Sequence, residues 1–311
     1  MNILKKILDN SRVVWSRLVC FITRKYPHFF SDKTIIKAQF YRFLGYKLDL
    51  KHPKTFSEKL QWLKLYDRNP LYTVLTDKVK VKEYVAAKIG KEYIIPTLGV
   101  WDKPEDIDFN SLPNQFVLKC NHNSGIGLFI CRKKNEVSAD KWAKVVLELN
   151  NGLKEDYYLR GREWPYKNIS RKILAERFMS DDDGNISNDL KDYKWYCFNG
   201  KPLYCQVIAD RRTKETIDFY DTDWKHQDFI GLNPIAVHSS NPVAKPENLI
   251  EMVNIAKALS VDTIFSRIDL YNICGRIYFG EITFYPQSGF GVFHPSLYNN
   301  LIGDLLKLPN E

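Results

Sequence analysis

The segment FSRIDLYNICGRIYFGEITFYPQSG, from Phe265 to Gly289, carries Arg267, Asp269 and Glu281 inside two runs that otherwise read as buried strands. Burying a charge without a partner costs on the order of several kcal/mol, so these residues require each other or a ligand. Side chains alternate faces along a strand, which puts Arg267 with Asp269 on one face and Glu281 with Thr283 on one face. If the strands pair through a turn near Asn272–Gly275, a single polar face presents all four. Oxygen donors of this kind suit Mg²⁺, which takes one or two carboxylates together with substrate phosphates. An ion pair of Arg267 with Asp269 or Glu281 on a solvated sheet face fits the same spacing, and spacing alone leaves both readings open.

A metal site of that kind needs a phosphate-binding half. In FVLKCNHNSGIGLFIC, Lys119 closes an apolar run and Asn121–Gly127, which contains Asn123, Ser124, Gly125 and Gly127, forms a small loop before the next run. Glycines let backbone N–H groups approach a phosphate closely, and the lysine adds a point charge. No Gly-Lys-Ser/Thr follows, so this is not a Walker A loop, and an ordinary hairpin loop is the competing reading. His122 could touch a nucleotide or hold the loop by a hydrogen bond. A second lysine, Lys78, stands at the start of a helical pattern in LTDKVKVKEYV. By itself it reads as a surface residue.

The elements that must position these groups follow from patterning. Thr55 and Glu58 form a capping box ahead of a helix over 55–68. A second helix is expected over 76–89, strands over 93–100, 115–119 and 128–132, a helix over 138–151 and a strand over 172–179. Strands over 193–199 and 202–209 meet at Asn199-Gly200, a strong hairpin signal. Helical spacing from Leu249 to Leu259 precedes the two charged strands, and a helix over 295–307 ends the pattern. Helices first, then mixed strands and helices, indicate α+β layers rather than regular βαβ alternation.

Bulk properties bound the partners. The 311 residues carry a net charge of +9 with 44% hydrophobic and 14% aromatic content, an ordered chain that suits an anionic partner. No zinc-finger spacing or RNA-binding signature accompanies the charge, so nucleic acid is not expected. The six cysteines show no C-x-x-C pair and read as reduced core residues of a cytoplasmic protein. Residues 1–30 mix Ile3, Leu4, Trp15 and Leu18 with Lys5, Lys6, Arg12 and Arg17. They form either a basic amphipathic helix lying on the inner face of an anionic membrane or a helix packed on the body.

Taken in order, Asp77-Lys78, Leu118-Lys119 with 121–127, ILAERFM from 173 to 179, Arg267-Ile-Asp269 and Glu281-Ile-Thr283 resemble the ATP-grasp family. KTFSEKLQWLKLYDRNP, LPNQFVLKCNHNSG, YKWYCFNGKP and FGEITFYPQSGF resemble its TupA-like branch, over about residues 30 to 300. That branch is linked to teichuronopeptide and other bacterial surface polysaccharide synthesis. The resemblance implies an ATP-grasp fold with ATP held between two α+β subdomains. Its expected parts are an N-terminal segment at 1–30, a helical and N-terminal ATP-grasp region at 31–110, a lid at 111–180 and a catalytic subdomain at 181–311.

It also implies roles. Lys78 and Lys119 bind ATP phosphates, 121–127 closes over the γ-phosphate, Glu176–Phe178 forms the adenine hinge and Asp192 holds the ribose. Lys194 stands where related ligases carry an arginine, as a phosphate or substrate contact, with Arg211 or Arg212 a further substrate candidate. Asp269 and Glu281 hold Mg²⁺, with Thr283 where Asn is usual, while Ser288, Gly289 and Gly291 shape a substrate loop. Arg267 is expected to stabilise an oxyanion in an acylphosphate route joining an amino acid or amine to a uronic acid. Two alternatives stay open: a glycosyltransferase using the D-x-D patterns at 181–183 or Asp221-Thr-Asp223, and a glycan-binding module using Trp164, Trp195 and Trp224.

Overall fold

The computed structural model describes residues 2–180, 190–209, 215–233 and 237–309, with side chains from Ser11 onward. Helices α1 (Asn2–Lys25), α2 (Asp32–Leu44), α3 (Phe56–Tyr66), α4 (Leu71–Thr76) and α5 (Lys80–Ile89) precede strands β1 (Thr97–Trp101), β2 (Phe116–Cys120) and β3 (Leu128–Cys131). Helices α6 (Ala139–Lys154) and α7 (Tyr158–Gly161) lead to β4 (Ile173–Arg177). Strands β5 (Asp192–Phe198), β6 (Lys201–Ala209), β7 (Thr216–Asp221) and β8 (Ile230–Gly231) are followed by α8 (Leu249–Ser260). Strands β9 (Phe265–Ile273), β10 (Arg276–Thr283) and β11 (Phe293–His294) lead to helix α9 (Tyr298–Leu305).

Two antiparallel sheets carry the site. The smaller has the order β1-β4-β2-β3 and the larger β10-β9-β5-β6-β7. The expected α+β class is therefore the observed one. Asn199 and Gly200 both take positive φ, 48° and 77°, the geometry that a two-residue hairpin demands. The turn between β9 and β10 uses Cys274 and Gly275 in the same way, at 49° and 77°. This exposes Cys274, whereas the other five cysteines are buried, so reading all six as core fails at the one that makes a turn.

One expected helix is interrupted. Instead of running over 76–89, the chain leaves α4 at Asp77, whose backbone is extended, and re-enters a helix at Lys80. The cause is the Asp77 carboxylate, whose Oδ1 accepts from the Val79 amide at 2.9 Å, an aspartate turn that competes with helix. Lys78 thus sits in a bend between helices.

Packing explains which faces are free. Helix α8 covers β5, β6 and β9 on the side of Trp195 and Ile268, and Met252, Ile255 and Leu259 enter that core. On the opposite face Phe56 of α3 packs on Tyr196, Phe198 and Phe265 at one end of the strands. The charged residues occupy the remainder of that face. In the smaller sheet Phe116, Leu118, Ile173 and Ala175 pack with Val145 and Leu149 of α6. Trp195 is fully buried and Trp224 stacks on Tyr220 at 4.4 Å, so neither offers a surface for a sugar ring.

The loop after β2 sits on α6 through two glycines. A Cβ on Gly152 would lie 2.9 Å from the Gly127 Cα and 2.7 Å from the Cys120 Sγ, and Gly127 itself has φ 63°. Gly152→Ala would gain about 1 kcal/mol of helix propensity but incur about 1–3 kcal/mol of overpacking against backbone that cannot yield. We expect the clash to win, lowering the urea midpoint; an unchanged or raised midpoint would contradict this packing.

Candidate functional site

Three adjacent strands bring the charges together in two rows. Lys194, Asp269 and Glu281 are paired across β5, β9 and β10, and Tyr196, Arg267 and Thr283 form the next row. A bulge between Phe279 and Glu281 sets this register, so Glu281 faces Asp269 directly. Asp269 is 2% exposed and both its oxygens are engaged. Arg267 donates from Nε to Oδ1 at 2.6 Å and from Nη2 to Oδ2 at 2.7 Å, while Lys194 Nζ donates to Oδ2. Arg267 Nη2 also donates to Thr283 Oγ1 at 3.1 Å and reaches Glu281 Oε1 at 3.4 Å.

The expected contact residues Lys194 and Asp192 are both buried, and the Lys194 ammonium lies on Asp269 and 3.5 Å from Asp192 Oδ1. Their alternation along β5 puts both on the charged face, where a buried lysine requires carboxylates. Arg211 and Arg212 lie outside the described residues, as do Asp181–Asp183.

The half expected to bind phosphate is built around Asp77. Its Oδ1 accepts from Asn121 Nδ2 at 2.8 Å, and the Lys78 amide donates to the Asn121 carbonyl at 3.1 Å, locking the bend to the loop. Lys78 Nζ then donates to the Asn123 carbonyl at 2.7 Å. Among the described residues no carboxylate lies within ion-pair distance of this ammonium. Asn121, His122 and Asn123 are buried and anchored, Asn123 to the Gly152 carbonyl at 3.1 Å and His122 Nε2 to the Glu155 carbonyl at 3.1 Å. His122 therefore holds the loop. Ser124 and Gly125 form an exposed tip, Gly125 with φ 80° and open space where a Cβ would stand.

Lys119 meets Glu176 of β4 at 2.5 Å, and Lys82, which the sequence reading passed over, meets the same carboxylate at 2.6 Å. Burial opposes ionisation of Glu176, yet Lys119 and Lys82 outweigh it and hold the carboxyl below its usual range. Its side chain is engaged by lysines, and its backbone lies between β1 and β2, opposite Thr97 and Val117. Phe178 lies beneath the Arg132 guanidinium at 5.1 Å. Lys82 stands four residues after Lys78 in the sequence, a spacing that would draw attention to it in a continuous helix.

The two halves act on a common group. Burial pushes the Glu281 carboxyl up, but Lys78, Arg267, Lys194 and Lys119 together pull it down to about 2. Lys78 is lowered by burial, with Glu281 opposing and Lys119 reinforcing the shift. Such an ammonium, short of a countercharge, suits an anionic ligand.

The Ser288–Gly289 loop is fixed by residues that were not singled out. Gln61 of α3 donates to the Gly289 carbonyl at 2.8 Å, and Lys64 donates to the Ser288 and Gly161 carbonyls at 2.7 and 2.8 Å. Ser288 Oγ donates to Glu163 at 2.6 Å. Burial lowers Lys64 to about 8 although Glu163 opposes it, and burial raises Glu163. Gln287, Ser288 and Gly289 all have φ between 50° and 69°, strain that this clamp sustains. The signal was Gln61 and Lys64 on the apolar stripe of Leu60 and Leu63.

Asp269, Glu281 and Thr283 form an all-oxygen donor set, and carboxylate oxygens keep lone pairs beyond those Arg267 and Lys194 use, so the residues present fit Mg²⁺. Asp221 of the second D-x-D pattern accepts from the Asp223 and Lys225 amides at 3.0 and 2.8 Å, which makes it a turn.

A family model described as TupA-like ATPgrasp matches residues 58–307. No curated protein matches the chain. Among solved structures the chain is similar to D-alanine–D-alanine ligase from Bacillus anthracis complexed with ATP, at 16% identity and a TM-score of 0.39, over 68% of this chain and 53% of that one. For D-alanine–D-alanine ligase from Helicobacter pylori the values are 14%, 0.43, 81% and 69%. For the ATP-grasp ligase PsnB complexed with minimal precursor they are 11%, 0.41, 80% and 66%. The chain spans about half the length of the first of these.

Two measurements probe the charge balance. Asp269→Ala leaves Arg267 and Lys194 buried without their carboxylate and should lower stability by about 3–5 kcal/mol, part of which Lys194→Met in the same chain should restore. Equal urea midpoints for wild type and Asp269→Ala would exclude this. Because Glu281 sits at about 2 rather than its usual 4.5, its contribution is fully present above pH 4.5 and is lost as pH falls toward 2. Glu281→Gln should flatten that part of the stability–pH curve; parallel curves would refute the shift.

Proposed function

The chain belongs to the TupA-like ATP-grasp family, and from that premise we propose that it is an ADP-forming carboxylate–amine ligase. Its carboxylate is a uronic acid of an acidic surface polysaccharide or precursor, and its amine an amino acid or related amine. The observation that carries this reading is that Arg267, Lys194, Asp269, Glu281 and Thr283 share one face of the larger sheet, with Arg267 Nη2 3.4 Å from Glu281 Oε1. Cations beside an oxygen donor set suit a nucleoside triphosphate, and a net charge of +9 suits an acidic glycan.

Lys78 and Lys119 neutralise phosphate oxygens while the loop at 121–127 covers the γ-phosphate. The substrate carboxylate oxygen attacks the γ-phosphorus, the bond to the ADP oxygen breaks, and an acylphosphate forms. The amine nitrogen then attacks the acyl carbon, the carbon–oxygen bond to phosphate breaks, and the nitrogen releases a proton. Arg267, held rigid by Asp269, faces the oxyanion of that tetrahedral step. Mg²⁺ held by Asp269, Glu281 and Thr283 would screen the phosphate charge. Ser288 and Gly289 border the acceptor.

Helix α1 supports a second part of the reading, contact with an anionic membrane. Its Val19 and Cys20 are buried on α2, while Val14 and Phe21 are 66% and 73% exposed beside exposed Arg17 and Arg24. No helix among the described residues is long and apolar enough to cross a membrane. An interfacial position fits that composition.

ADP release and product mass, measured over a panel of uronic acids and amines, test the ligase reading. Lys119→Met or Glu281→Gln should lower kcat/KM about 100-fold or more. Full activity in these variants, or glycosyl transfer from a nucleotide sugar without ATP consumption, would overturn it. Phe21→Asp should release the chain from phosphatidylglycerol vesicles in a sedimentation assay, and equal sedimentation of both proteins would sink the membrane contact.

A further inference from the structure

We propose that Asp218, His226 and His238 form a binding site for a divalent transition-metal ion, with Zn²⁺ the expected occupant. The inference does not rest on the ligase reading. Asp218 lies on β7, at the edge of the larger sheet, and pairs with Val207, in register with Tyr193 and Leu270 across the neighbouring strands. It therefore leaves the sheet by the face opposite Asp269. The two sites are chemically and spatially separate.

A carboxylate 1% exposed in that setting needs compensation. The chain after β7 folds back along the edge twice: His226 bridges Tyr220, and Val237 bridges Thr216. The two passes bring His226 Nε2 to 2.8 Å and His238 Nδ1 to 2.9 Å from the same oxygen, Asp218 Oδ1. One ligand atom from each residue lies within 4.8 Å of the others. Ligand atoms around a common tetrahedral ion at about 2.0–2.1 Å stand ~3.3 Å apart, so small outward movements would admit one.

The surroundings hold the ligands in position. The Ser239 amide donates to Asp218 Oδ2 at 3.2 Å, leaving Oδ1 as the atom toward which both rings point. Tyr220 packs edge-on to His226 at 5.3 Å and is itself stacked on Trp224. Two imidazoles and a carboxylate select Zn²⁺ or a similar ion over Mg²⁺, which prefers oxygen. The linear spacing of 218, 226 and 238 matches no metal motif, because the ligands converge only when the loop doubles back.

Such an ion would clamp both passes onto an edge strand that otherwise invites foreign pairing. Three protein ligands leave a position for water at the half-exposed His238 side.

The test uses the full chain freed of metal by chelation, then titrated with Zn²⁺ by calorimetry and with Co²⁺ by visible absorption. One equivalent of Zn²⁺, a Co²⁺ ligand-field spectrum and a raised Tm are expected. His238→Gln, which keeps an amide donor for Asp218 but loses the imidazole ligand, should weaken Zn²⁺ binding roughly 100-fold or more, with its metal-free Tm measured alongside to separate any loss of the Asp218 hydrogen bond. Glu281→Gln, at a side chain 40% exposed, should keep both signals, which separates this site from the nucleotide site. Absence of a Zn²⁺ equivalent and Co²⁺ spectrum in the native chain, or identical binding by His238→Gln, would overturn the proposal and leave a hydrogen-bonded Asp–His–His cluster only.

Discussion

Asp269 is the group on which the arrangement of the larger sheet depends. Taking an arginine, a lysine and a carboxylate out of water together is tolerable only if every donor finds an acceptor. Arg267 and Lys194 arrive from adjacent strands and converge on this one side chain. Their convergence leaves Glu281, next in the row, as the carboxylate with room for a ligand, its side chain 40% exposed. Electrostatics and register are therefore one constraint, since a slip of one residue would turn Asp269 into the core beneath α8.

The smaller sheet is tied to the bend at Lys78 by one side-chain and one backbone hydrogen bond. The Asp77–Asn121 bond fixes the bend that carries Lys78, and the contact of Gly127 with Gly152 seats the loop on α6. The loop consequently has a rigid base and an exposed tip at Ser124 and Gly125. Division of this kind suits a segment that must cover a ligand and release it. Gln61 and Lys64 act similarly on the far side, holding the strained Ser288–Gly289 turn from a single helix face.

Much of this was legible in the sequence wherever the determining interactions are local. The capping box at Thr55 and Glu58 forms as read, and the Asn199-Gly200 turn joins β5 to β6. Alternation within each strand put Arg267 with Asp269 and Glu281 with Thr283, while the bulge between Phe279 and Glu281 brought the two pairs onto one face. What escaped was each residue whose role depends on a distant partner. Lys82 is one of several lysines on α5 until Glu176 is beside it, and Glu163 is unremarkable without Lys64 and Ser288. Nothing in β5 itself reveals that Asp269 lies across the strand pair from Lys194. The break at Asp77 was missed because its capping bond competes with a helical pattern that is otherwise continuous.

The sequence by itself determined most of the elements and which residues of each strand share a face. These follow from periods of two and 3.6 residues and from turn chemistry, which act over a few residues. Tertiary structure decided which charges neutralise one another and which remain for a ligand. It also decided that Asp218, His226 and His238, eight and twelve residues apart along the chain, meet at one oxygen. Pairing across strands and the doubling back of a loop set those distances, and no local periodicity encodes them.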